Sequence, residues 1–168
     1  MYATSGHKWL LAPKGTVLLY LSEELGTAID PIALQSGRAA YSASSGVASL
    51  PSVIGLGAAI DYLSTIGLAR IETHNLALRG RLHTALAAVP HVTIVRGGAG
   101  PIASPLLSYR LPEQHKAGAL HTRLREQHHV EVKVVPSNWF NGHRISTHLF
   151  NTEQDVDTFV RALSAELR

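Results

Sequence analysis

Apolar positions along the chain change period several times, and each change marks an element. Val17 to Leu21 is an unbroken apolar run behind Lys14-Gly15-Thr16, the pattern of a short buried strand. From Gly26 to Leu50 the residues are mostly Ser, Ala and Gly without a period, which predicts an irregular connection. Pro51 then opens a helix to about Ile66, with Val53, Ile54, Leu56, Ile60, Leu63 and Ile66 at helical spacing and Gly67 as the stop. A second helix, from Leu68 to about Val89, carries Ile71, Leu78, Leu82 and Leu86 on one stripe, and Pro90 ends it. Val92 to Val95 predicts a strand, followed by the Gly97-Gly98-Ala99-Gly100-Pro101 loop. Leu106 to Tyr109 predicts a strand, Gln114 to Gln127 a helix, and Val130 to Val135 an alternating, half-buried strand. Arg144 to Ser146 suits one more short strand. Asn151-Thr152-Glu153 caps a last amphipathic helix bearing Val156, Phe159, Val160 and Leu163.

From about residue 69 the order is therefore helix, strand, strand, helix, strand, strand, helix. That is an α/β module able to close on itself, so residues 69–168 are expected to form a small domain. Residues 1–68 differ. They open on an interior kind of motif, with a strand that has no earlier partner, as though a larger domain had been entered part-way. The expectation is that this front part exposes an apolar face and self-associates, while the module behind it folds on its own core.

Composition narrows the class. The chain has 168 residues, 45% hydrophobic and 16% charged, which suits a soluble globular protein. Its formal net charge of +3 is spread without a basic block, so neither nucleic acid nor a membrane surface is an expected partner. With no cysteine, the chain holds no disulfide, thiolate metal site or cysteine nucleophile, in keeping with the cytoplasm. It shows no apolar run of membrane-spanning length, and its first residues lack the basic-then-apolar layout expected of a secretory signal.

The candidate chemistry lies near the front, in Thr4-Ser5-Gly6-His7-Lys8-Trp9-Leu10-Leu11-Ala12-Pro13-Lys14-Gly15-Thr16. By residue type alone, Lys8 is either an exposed loop lysine or an amine that forms a Schiff base once desolvated. Far along the chain stands Arg144-Ile145-Ser146-Thr147-His148-Leu149-Phe150-Asn151-Thr152-Glu153. An arginine there suits a carboxylate, because guanidinium presents two parallel donors and stays charged, although a surface ion pair is the plainer reading.

Together the two segments resemble the class V aminotransferase family, whose cofactor-lysine signature runs S/N-x-H-K-W/I-x-x-G-P-K-G. The family also carries R-x-S-x-x-x-Y/F-N-T before its last helix. The resemblance implies the C-terminal part of a fold type I, pyridoxal-phosphate-dependent enzyme: the end of the large domain (1–68) plus the small α/β domain (69–168). It implies that Lys8 holds pyridoxal 5'-phosphate and acts as the catalytic base. Ser5 and His7 would bind the cofactor phosphate, and Arg144 the carboxylate of an amino-acid-like substrate. Lys14 is structural in this reading, and Ala12 replaces the commoner glycine. A homodimer is implied for the full-length form. The stretch Leu50 to Ile60 looks like the family helix after the G-T-x-x-x-P loop, though Ser45-Gly46-Val47 stands where Gly-Thr is usual. The aromatic ring that stacks on the cofactor and the aspartate at its pyridine nitrogen would lie outside these 168 residues.

Because cysteine desulfurases carry their persulfide on a cysteine shortly before the carboxylate-binding arginine, and Val135 to His143 has none, a cysteine-nucleophile desulfurase is not expected. The nearer expected branches are aminotransferase, epimerase or C–S lyase. Other signals are weaker. Gly55-Leu56-Gly57 lacks a preceding strand and a third glycine. His128-His129 near Glu131, and His115 with His121, are pairs to be expected among ten histidines, so no metal site is expected. The rival reading is a non-catalytic remnant that serves as an oligomerisation or binding module.

Overall fold

The computed structural model describes residues 1–28, 49–95 and 104–168. Ser45-Gly46-Val47, most of the Gly26–Leu50 connection and the Gly97–Pro101 loop lie outside the described residues. The backbone clusters into two units, Met1–Leu68 and Ala69–Arg168.

The first unit opens with an antiparallel ribbon of β1 (Tyr2–Ser5) and β2 (Val17–Tyr20), in register from Tyr2↔Tyr20 to Ser5↔Val17. The strand over Val17 thus has an earlier partner, contrary to the sequence reading. Four residues without an apolar alternation give β1 no periodic signal of its own. Nor is β2 buried. All four of its residues are exposed, because among the described residues only β1 pairs with it. A short helix, α1 (Glu23–Ala28), occupies the start of what reads as irregular chain. Ser22 Oγ accepts a bond from Leu25 N–H at 3.4 Å, and Glu23 and Glu24 favour the positive end of the helix dipole. Next, α2 (Leu50–Ile66) carries Pro51 in its first turn and stops at Gly67, whose φ of 92° suits glycine. Of its apolar positions only Leu63 is buried; Val53, Ile54 and Ile60 face solvent.

The second unit has the expected element order: α3 (Leu68–Ala87, all but its first residue), β3 (Thr93–Val95), β4 (Leu106–Arg110), α4 (Ala117–His128), β5 (Lys133–Val134), β6 (Gly142–Ser146) and α5 (Glu153–Glu166). Its strands form an antiparallel sheet in the order β3-β4-β6-β5. Alternation along β4 sends Leu107 and Tyr109 to the helical side. There they join Leu78, Leu82 and Leu86 of α3, Leu120 and Leu124 of α4, and Phe159 and Leu163 of α5 in one core. The expected strand over Val130–Val135 shrinks to two residues. His129 closes α4 in the left-handed conformation, and Val130 N–H turns back to Leu124 O at 3.0 Å, so pairing with β6 starts late. The last helix is capped as expected, in a reciprocal box. Thr152 Oγ1 accepts from Asp155 N–H at 3.2 Å, and Asp155 accepts from Thr152 N–H at 2.8 Å.

Candidate cofactor and carboxylate site

In the first unit, the loop between β1 and β2 carries Lys8. Three backbone bonds close it: Gly6 N–H to Thr16 O at 2.8 Å, Ala12 N–H to Gly6 O at 2.9 Å, and Leu11 N–H to Lys8 O at 3.1 Å. Thr16 Oγ1 donates to Pro13 O at 2.7 Å. The loop is tight at its neck. A Cβ on Gly6 would overlap the Thr16 side chain, so only glycine fits. Ala12, in place of the commoner glycine, is accommodated as a buried residue. Pro13 seats α2, since a Cβ on Gly55 would come 2.6 Å from Pro13 Cγ. The neck therefore anchors the loop, while His7 and Lys8 stand exposed on the turn that follows Ser5 at the end of β1. Leu11 adopts φ 57°, a conformation that side chains rarely take, so the turn is held against its local preference. A primary amine, an imidazole and a hydroxyl within four residues form a donor set that suits an aldehyde cofactor bearing a phosphate.

In the second unit, Arg144 lies on β6 with Ser108 of β4 and Lys133 of β5 as its cross-strand partners. His143 and Ile145 face the helical core, so Arg144 stands on the opposite, exposed face of the sheet. The helical layer pairs its own charges. Arg81 meets Asp157 at 2.8 Å and Glu153 at 3.0 Å, while Arg123 and His128 both hold Glu166. These partners lower the carboxyls of Asp157 and Glu166 below the ordinary range, chiefly through hydrogen bonds from Arg81 and from His128 respectively. The sheet strands contain no acid at all, and Arg144 has no ion-pair partner among the described residues. Glu131 bonds His121 at 2.7 Å rather than His128 or His129. No group of three metal-binding side chains assembles among the described residues, and none of the described helices alone is long and apolar enough to cross a membrane.

The sequence profile of the class V aminotransferases matches residues 1–159. The chain belongs to the class V aminotransferase family. This is a family of pyridoxal-phosphate-dependent enzymes, and the fold is the mixed α/β arrangement of its fold type I members. A cysteine desulfurase of Enterobacter sp. is 29% identical over 96% of this chain, which spans 44% of that relative. The solved cysteine desulfurase CsdA of Escherichia coli, in an S-sulfonic acid form, superposes with a TM-score of 0.78 at 25% identity, covering 99% of this chain and 46% of its own. The cystine C–S lyase C-DES, solved with cysteine persulfide, shares the fold with a TM-score of 0.77 at 21% identity, over 95% of this chain and 45% of its own. This family member thus spans less than half the length of the relatives it matches.

These relatives correct one expectation. Lack of a cysteine before Arg144 set desulfurases aside and favoured aminotransferase, epimerase or C–S lyase branches, yet the Enterobacter relative and the Escherichia coli structure are named cysteine desulfurases. The misreading gave a single nucleophile more weight than the similarity spread over the whole chain. The first unit has Ser5 at the end of β1 with His7 and Lys8 on the turn that follows, and the second has Arg144 on β6 of its own sheet. Sequence reasoning passed over His143, Tyr109 and Asn141 around Arg144. A histidine directly before the arginine was the available signal.

Proposed function

We propose that this chain contributes the lysine-bearing loop and the carboxylate-binding arginine of a pyridoxal-phosphate enzyme that processes cysteine or a related sulfur amino acid. The observation that carries the reading is the neck at Gly6 and Thr16, which anchors a loop presenting Lys8 outward. Bound pyridoxal phosphate supplies an electron sink that makes bonds at the substrate's α-carbon labile. The chain's own residues do the rest. Lys8 Nζ would hold the cofactor at its aldehyde carbon, the aldehyde oxygen leaving as water, and as a free amine would move the α-proton. Ser5 Oγ and the His7 ring donate to the cofactor phosphate. Arg144 clasps the substrate carboxylate through two parallel donors and so orients the bond to be broken. Because the chain has no cysteine, any thiol that accepts sulfur comes from outside these 168 residues. A cytoplasmic, homodimeric whole protein belongs to the same proposal. Exposed Val17, Leu19 and Tyr20 supply apolar surface for association.

The test is borohydride reduction of the protein incubated with pyridoxal phosphate, followed by peptide mapping. The pyridoxyl mass is expected on Lys8 and lost in Lys8→Ala. A label on Lys14, Lys116 or Lys133 instead would overturn the assignment.

A further inference from the structure

Asn141 and His143, just before Arg144, are bonded to residues of other elements and of the loops beside them. Asn141 Oδ1 accepts the first amide of α4, from Ala117 at 2.9 Å, and its Nδ2 donates to His115 O at 2.8 Å. Leu111 N–H donates to Asn141 O at 2.9 Å. Gly142 sits where a Cβ would overlap the carbonyl oxygen of Tyr109 and press on the Phe140 ring. His143 is fully buried, and its two ring nitrogens reach two different elements. Nε2 lies 2.8 Å from Ala117 O, which can only accept, so Nε2 carries the proton. Nδ1 is then an acceptor and takes the bond from the Tyr109 hydroxyl at 2.7 Å. Tyr109 is itself wholly buried on β4, and its ring meets His143 edge-on.

A buried polar pair of this kind adds little net stability over two well-packed apolar side chains. What it adds is direction. Both bonds fail if β6 rotates about its axis or slides by one residue. Because side chains alternate along a strand, the setting of His143 also sets the base of Arg144 on the other face.

We propose that His143, clamped between Tyr109 and the first turn of α4, is a positioning residue that holds Arg144 in the orientation needed to clasp a carboxylate. This rests on the carboxylate role of Arg144 proposed above. A misplacement of about 1 Å in a binding group can cost up to roughly a hundredfold, so a tenfold effect lies within reach of a small strand rotation.

The test uses the 168-residue chain and ligand-observed NMR titration with L-alanine, with L-alaninamide as the ligand lacking the carboxylate. His143→Leu removes both bonds and is expected to weaken alanine binding about tenfold (about 1.4 kcal/mol) while leaving alaninamide unchanged. His143→Gln, whose amide can accept from Tyr109 and donate to Ala117, is expected to stay within about twofold of the unaltered chain. In an Arg144→Gln background, His143→Leu should add nothing, because its effect runs through the arginine. Should His143→Leu fail to fold, Tyr109→Phe removes one bond at nearly constant volume and should weaken alanine binding about threefold. Unchanged alanine affinity in the His143 and Tyr109 variants, with Arg144→Gln still losing it, overturns the inference and leaves the carboxylate reading standing. So does a His143→Leu loss that persists without Arg144. Alanine affinity untouched by Arg144→Gln overturns both.

Discussion

Leu82, Leu86, Leu120, Leu124 and Leu163 of the second unit expose at most 1% of their surface, whereas Val17 and Tyr20 on β2 of the first expose 66% and 65%. The apolar content of the two regions does not explain this contrast. Both carry strand runs and helices with apolar residues at core-like spacing. In the second unit three helices and four strands present those residues to one another. In the first, a two-stranded ribbon and α2 bury little beyond Ala12, Leu63 and the neck of the Lys8 loop. A hydrophobic pattern states which side chains favour burial. Whether burial happens depends on a partner surface, and among the described residues the first unit has none to match its ribbon.

Core truncation should break the contrast most forcefully. Leu124→Ala is expected to destabilise the second unit by about 2–5 kcal/mol, read as a drop in the urea or thermal midpoint. Leu19→Ala, already solvated, should change that midpoint by less than about 0.5 kcal/mol. Equal effects would mean that the ribbon is buried in solution after all. A charge on the exposed ribbon sharpens the comparison from the other side. Val17→Lys with Leu19→Lys should reduce self-association in light scattering while leaving the unfolding of the second unit within about 0.5 kcal/mol.

Smaller effects probe the second unit's local devices. Thr152→Ala removes the side-chain half of the box at the start of α5 and should cost about 1 kcal/mol, whereas Thr152→Ser should cost much less. The mildest perturbation is pH. Burial holds the His143 ring below its ordinary value near 6.5, against an opposing pull from its bond to Ala117 O and with a smaller push from the charge of His121. The unfolded chain therefore takes up this proton first as pH falls. The stabilising contribution is whole above about pH 6.5 and is lost as pH falls from there through the folded value. Chemical denaturation at pH 7.5 and 5.5 should show a larger acid loss for the unaltered chain than for His143→Gln. An equal loss would remove His143 from the account.

Local chemistry made much of this legible in the chain. Pro51 and Gly67 bracket α2, Thr152 announces α5, and the stripe Leu78, Leu82 and Leu86 announces the core face of α3. These signals act within a few residues, so they survive without knowledge of the fold. That Ser5, His7 and Lys8 stand close together was legible for the same reason, since they are near neighbours in the chain, Ser5 ending β1 and the other two on the turn behind it. β1 was not, because a four-residue strand is a strand only by virtue of what it pairs with. Nor was the exposure of β2 legible, since an apolar run reads alike whether or not anything covers it. The setting of Arg144 required the tertiary structure most of all. His143, Tyr109 and Ala117 lie up to 34 residues apart, and only sheet register and the docking of α4 bring them within hydrogen-bonding distance. Directional bonds between distant residues leave no periodicity in the chain, and so the fold alone decides them.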